Sequence, residues 1–283
     1  MTNILIPTDF SANALHALNY ANFLFKNEEC TFYILNAFQT GASNLENLRN
    51  IQKNTKLFKA NKEASQRNLK ELLHVIHAEN NNRQHAYKTI AKADSLLNAI
   101  GKSSIELQIS YIFMGTRGAS GLKSVFMGSN TAAVISKIDF CPIVAVPSDY
   151  NFNIPRTILF TTGFEHVYDK YELNPMLLLA KLWDSKIQIL HLLDTTKIIE
   201  HKETAKKVIS KRLKNVDYEI IEIEKKGKIA TEINKRAEHN ENIGMVAIID
   251  YWHSFIEKIT HEPVVKTIAF STKIPLLVMH LPK

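Results

Sequence analysis

Hydrophobic and polar positions along the chain alternate between short apolar runs and longer amphipathic stretches. In the first half the runs predict strands near residues 2–7, 31–37, 84–89, 110–115 and 141–146, with helices near 11–26, 45–79, 94–102 and 129–138. Ser11 is placed to cap a helix that carries Leu15, Leu18, Ala21, Phe23 and Leu24. Tyr111-Ile112-Phe113-Met114 and Pro142 to Val146 are continuous apolar runs, as expected of strands buried on both faces. Strands alternating with helices argue for an α/β fold, a parallel sheet with helices on both faces. Such sheets bind ligands at the carboxyl ends of their strands.

The pattern then repeats. Ile4-Leu5-Ile6-Pro7-Thr8-Asp9-Phe10 aligns with Ile158-Leu159-Phe160-Thr161-Thr162-Gly163-Phe164. Thr31 to Ala37 aligns with Lys186 to Leu192, and Cys141 to Pro147 with Ile274 to His280. The helix after the first strand has its counterpart in the apolar stretch from Pro175 to Trp183. The offset falls from 154 residues at the first strand to 133 at the last, so the second copy is the shorter. Most of the loss falls where the first copy has a long polar helix pattern, Leu45 to His77. Ser148 to Pro155, rich in Asp, Asn and Pro, reads as a linker. The expected domains are therefore 1–147 and 156–283, joined by 148–155.

Four of the nine glycines lie between residues 115 and 128: Gly115, Gly118, Gly121 and Gly128. Glycine lets backbone approach a ligand closely. Gly128-Ser129 opens a helix pattern running through Ala132, Ala133, Val134 and Ile135. A helix start offers unpaired N–H groups and partial positive charge, a natural phosphate cradle. Arg117 and Lys123 can add charge-assisted contacts. A Walker loop is excluded, because Leu122 separates Gly121 from Lys123, and no G-x-G-x-x-G follows the first strand.

The spacing present, Gly115-x2-Gly118-x9-Gly128-Ser129, resembles the ATP-binding signature of the universal stress protein family. Pro7-Thr8-Asp9-Phe10-Ser11 is similar to the end of that family's first strand. The likeness covers nearly the whole chain and describes a tandem member. It implies two tandem Rossmann-like domains of the adenine nucleotide alpha-hydrolase-like kind, each a five-stranded parallel sheet. It also implies an adenine nucleotide, ATP or AMP/ADP, bound with Mg²⁺ in the first domain. Asp9 and the backbone around Pro7 and Ala37 would then face adenine and ribose. Met114, Gly115, Arg117 and Gly118 would line the path to the phosphates, and Gly128, Ser129, Asn130 and Thr131 would hold them. The same resemblance implies an intramolecular pseudo-dimer of the two domains and leaves a further homodimer open.

The second copy looks disarmed. Its fourth strand, Met245 to Ile249, runs into Asp250-Tyr251-Trp252-His253 without glycine, and His261 and Glu262 take the places of Gly128 and Ser129. Gly163 stands where Asp9 does. Carboxylates at both ends of the former loop would repel phosphate, so one nucleotide per chain is expected. Asp250, His253, His261 and Glu262 match no standard metal-ligand spacing. His191 occupies a strand position that the family often fills with His and reads as structural.

Charge and composition narrow the picture further. The formal charge is +7, yet residues 1–150 carry 15 Lys+Arg against 11 Asp+Glu and the remainder 20 against 17, so neither half holds a basic block. Basic residues alternate with acids, as from Lys202 to Lys214, which is the look of a solvated face, and nucleic acid is not the expected partner. The apolar runs are strand-sized, so no membrane span and no signal peptide are expected. Cys30 and Cys141, each in an apolar strand pattern, read as free thiols and point to a reducing cytoplasm. The function expected is a stress-response or regulatory ATP binder. The alternatives are a slow ATPase, for which no convincing general base is visible, and a nucleotide-free module acting through protein partners.

Overall fold

The computed structural model describes residues 1–38, 56–116, 128–193, 201–225, 227–250, 268 and 272–280. These fall into two compact units, Met1–Met114 and the described residues from Gly115 onward.

The first unit is built on four parallel strands, β1 (Thr2–Pro7), β2 (Cys30–Ala37), β3 (His85–Lys92) and β4 (Tyr111–Gly115), whose last residue counts with the second unit. Their order is β3-β2-β1-β4, with Ile4 opposite both Phe32 and Tyr111. Helices α1 (Ala12–Leu24), α2 (Lys56–Glu79) and α3 (Leu96–Glu106) make the crossovers. Ser11 caps α1 by accepting the Ala14 N–H at 3.2 Å, as its position implied. Ser95 caps α3 in the same way, and α3 runs a turn beyond the predicted 94–102 because Ser103 and Ser104 are buried with Ala99 and Ile100. The expected helix from 45 is described from Lys56 onward, and residues 45–55 lie outside the described residues. Ile4, Leu5, Phe32, Ile34, Leu35, Ile112 and Phe113 have no solvent exposure and form the core.

In the second unit the strands are β5 (Ile143–Val146), β6 (Thr157–Thr161), β7 (Lys186–Leu193), β8 (Tyr218–Glu224), β9 (Ile243–Asp250) and β10 (Leu276–His280). The helices are α4 (Ser129–Lys137), α5 (Lys170–Leu182), α6 (Lys202–Arg212) and α7 (Ile229–His239). The strand order is β5-β10-β9-β6-β7-β8. Read from β8, the strands β8-β7-β6-β9 repeat the β3-β2-β1-β4 order of the first unit, and the internal repeat is thus a repeat of topology. β5 runs antiparallel to β10, with Val144 opposite Leu277, so each covers an edge of the other that would otherwise be open.

Helix α5 begins at Lys170, ahead of Pro175, where the apolar stretch starts. Asp169 and Glu172 form a capping box, with the Asp169 N–H donating to Glu172 Oε2 at 2.7 Å. Pro175 therefore sits inside the helix.

Gly244 in β9 has a steric reason. A Cβ there would stand 2.6 Å from the Pro155 Cα, and backbone has no soft way to yield. Gly244→Ala is expected to cost about 1–3 kcal/mol of overpacking. Urea unfolding followed by tryptophan fluorescence measures this, since Trp183 and Trp252 both lie in the second half.

Candidate functional site

At the carboxyl end of β1 the chain turns sharply. Phe10 takes a left-handed conformation at φ 63°, unusual for a bulky residue. The Phe10 N–H donates to Thr8 Oγ1 at 2.9 Å, while Asp9 Oδ1 accepts from the Ser11 N–H (3.1 Å) and the Ser11 hydroxyl (2.5 Å). Asp9 is exposed and Pro7 buried, so this turn offers a carboxylate on a fixed backbone. The Thr8 carbonyl accepts from Asn36 Nδ2 at 2.8 Å, and Asn36 Oδ1 accepts from the buried Ser65 of α2 at 2.7 Å. Ala37, the next residue of β2, is half-buried.

The second unit repeats the device without the carboxylate. Phe164 has φ 58° and its N–H donates to Thr162 Oγ1 at 3.0 Å, with Gly163 in the place of Asp9. His191 takes the role of Asn36: its Nδ1–H donates to the Thr162 carbonyl at 3.0 Å. Its Nε2 lies 4.0 Å from Glu222 Oε1, which also accepts from Lys202 (2.7 Å) and Lys206 (3.0 Å). His191 is thus a structural donor. Burial pushes its pKa below the ordinary 6.5, against the pull of the Thr162 carbonyl. Below that pH the unfolded chain takes up a proton that the folded chain resists, so acidification costs stability. His191→Asn keeps a donor to Thr162, as Asn36 shows, and removes the titration. The variant is expected to lose less stability than wild type between about pH 7 and pH 5, read from urea midpoints at both.

The glycine segment is anchored at both ends. Gly128 donates its N–H to the Thr116 carbonyl at 2.6 Å, and the Thr116 N–H donates to the Val146 carbonyl at 2.9 Å. Thr131 Oγ1, buried, donates to the Gly115 carbonyl at 2.8 Å. These bonds fix the start of α4 against the end of the fourth strand. Gly128 is its N-cap and supplies no side-chain hydrogen bond, leaving the first-turn N–H groups of Ser129, Asn130 and Thr131 uncapped by any side chain. Ser129 and Asn130 are exposed. An uncapped helix start with small or polar residues is a site for an oxyanion. The Thr131 hydroxyl is committed to Gly115, so Thr131 can offer a ligand only its N–H.

Of the residues singled out in the sequence, Pro7, Asp9, Ala37 and Met114 belong to the first unit, and Gly115, Gly128, Ser129, Asn130 and Thr131 to the second. Met114 and Gly115 are buried and end β4. Arg117, Gly118, Gly121 and Lys123 lie outside the described residues, as do His253, His261 and Glu262. Asp250 ends β9, with its Oδ2 3.9 Å from Nε2 of His280, whose Nε2–H donates to the Ile135 carbonyl at 3.1 Å. Among the described residues no three His, Cys, Asp or Glu side chains gather as metal ligands, and no helix is long and apolar enough to cross a membrane. Sequence reasoning missed Asn36 and Ser65. The available signal was a polar residue near the end of an apolar strand, in register with His191 of the repeat.

Comparison with known proteins bears on the same segments. The family model described as "Universal stress protein family" matches residues 1–147, more than half of the chain. The chain belongs to the universal stress protein family. No curated protein matches it in sequence. Among solved structures, a universal stress protein from Archaeoglobus fulgidus aligns over 98% of both chains at TM-score 0.68 and 17% identity. A putative universal stress protein from Pseudomonas aeruginosa aligns over 99% of this chain and 93% of its own, at TM-score 0.60 and 12% identity. Both carry the fold, and they match a tandem universal stress protein along its full length. A family protein from Arabidopsis thaliana with AMP bound covers 52% of this chain at TM-score 0.35, too distant a likeness to carry a ligand across.

Proposed function

We propose that the first repeat of this universal stress protein binds one adenine nucleotide, ATP or AMP/ADP, in a stress-response or regulatory role. The observation that supports it most is the uncapped start of α4 at Gly128-Ser129-Asn130-Thr131, pinned through Thr116 and Gly115 to the fourth strand. That cradle sits in a chain with the glycine spacing Gly115-x2-Gly118-x9-Gly128-Ser129. On this reading the α4 N–H groups hold phosphates, and Gly115, Arg117 and Gly118 line the path to them beside Met114. Asp9, with the backbone at Pro7 and Ala37, takes the ribose and adenine side. A carboxylate suits ribose hydroxyls, and bare N–H groups suit phosphate.

For Mg²⁺ the described residues provide no carboxylate cluster, so an ion would be held chiefly by the phosphates and water. The repeats divide at 148–155 into 1–147 and 156–283, and pack as an intramolecular pseudo-dimer with β5 against β10. Two buried free thiols, Cys30 and Cys141, fit a reducing cytoplasm. The second repeat, with Gly163 for Asp9 and Asp250 for Gly115, serves as scaffold or partner surface.

Equilibrium binding of labelled ATP to the full chain tests the proposal. Saturation at one ATP per chain without phosphate release over hours supports a binder. Phosphate release makes it an ATPase, and no uptake removes the nucleotide reading.

A further inference from the structure

A cavity of about 390 Å³ lies between α1 and α2 in the first unit. Its floor is Ile6 and Ile34, at most 1% exposed, and its walls include Leu15, Leu72 and Val75, the last 43% exposed despite its apolar side chain. This volume is in the range of small-molecule pockets, about 300–1,000 Å³. Ile6 and Thr8 line it, while Pro7 alternates to the opposite face of β1, so the cavity shares no residue with the nucleotide set above.

The polar groups on its wall define the ligand. Thr8 Oγ1 accepts the Phe10 N–H. Ser11 Oγ donates to Asp9 and accepts the Ala14 N–H, so the first turn of α1 is capped and offers little to an anion. What remains is on α2. The Asn68 amide and the Glu71 carboxylate line the cavity, and among the described residues neither side chain has a hydrogen-bond or ion-pair partner. With Leu72 and Val75 they share one helix face, at spacings i, i+3, i+4 and i+7.

We propose that this cavity is a second small-molecule site, for an amphipathic ligand with a short apolar body and a cationic amine head. The apolar body lies on Ile6, Ile34, Leu15 and Leu72. The ammonium donates to the Glu71 carboxylate and the Asn68 amide oxygen.

The test uses n-decylammonium and decanoate as probes, each below its aggregation concentration, on the full chain with ¹³C-labelled methyl groups followed by NMR. Saturable shifts confined to Ile6, Leu15, Leu18, Leu72 and Val75 are expected with decylammonium, and binding of decanoate about fivefold weaker or worse. Glu71 is exposed, so Glu71→Lys should fold normally and reverse that order of affinity. Val75→Trp, also at an exposed position, should fill the mouth and remove the shifts. No saturable shift at these methyls overturns the site. Equal binding of both probes, or a Glu71→Lys chain that binds them as wild type does, overturns the cationic ligand class.

Discussion

A Gly128→Val chain is expected to bind ATP about 100-fold more weakly than wild type, a loss of about 2.7 kcal/mol, and to keep its fold. The backbone at Gly128, φ −58° and ψ 145°, is extended and open to any residue, so valine brings no conformational strain. The effect falls on the ligand instead. A branched side chain at the N-cap of α4 stands over the N–H groups of Ser129 and Asn130, where phosphate oxygens are proposed to sit. Each hydrogen bond to a charged group is worth about 1.5–3 kcal/mol, so losing one or two accounts for the figure. Circular dichroism provides the control for folding, and titration with labelled ATP reads the affinity. Unchanged affinity would remove α4 from the nucleotide site.

Phe113→Ala is expected to destabilise the first unit by about 3–5 kcal/mol. Phe113 is fully buried in β4 and its ring meets Tyr20 at 6.2 Å, Phe25 edge-on at 6.1 Å and Tyr111 at 6.4 Å. Its removal leaves a cavity between α1 and the strand that carries Met114 and Gly115. Amide hydrogen exchange is the fitting readout, because both tryptophans lie in the second half and report only there. Amides of Ile4 to Ile6 and of Ile112 should exchange faster, while those of β7 and β9 keep their protection.

These two residues show what was legible in the sequence. Phe113 lies in the apolar run Tyr111 to Met114, whose continuity announced a strand buried on both faces, and β4 has that position. Gly128 was legible through its spacing from Gly115 and Gly118 and through the apolar helix pattern behind it. The repeat was legible as aligned strands, and the topology follows it strand for strand from β8 to β9.

Other features depend on contacts that a linear pattern does not display. The turn after β1 requires a left-handed Phe10, and phenylalanine carries no such signal; only its recurrence at Phe164 marks it as a built feature. Asn36 acquires its role by meeting the carbonyl of Thr8, 28 residues away, and by accepting from Ser65 on a different helix. Pro175 punctuated the sequence where no helix starts, because the capping box of Asp169 and Glu172 outweighs the hydrogen bond that proline removes. Thr131, grouped with the phosphate residues by its place after Asn130, has its hydroxyl turned to Gly115.

The central claim, one adenine nucleotide held by the first repeat, is tested most directly by native mass spectrometry of the full chain purified without added nucleotide and then incubated with ATP and Mg²⁺. The account predicts a single mass increment of one adenine nucleotide per chain, lost in the Gly128→Val variant. Two increments per chain, or none under conditions where the chain is folded, would contradict it.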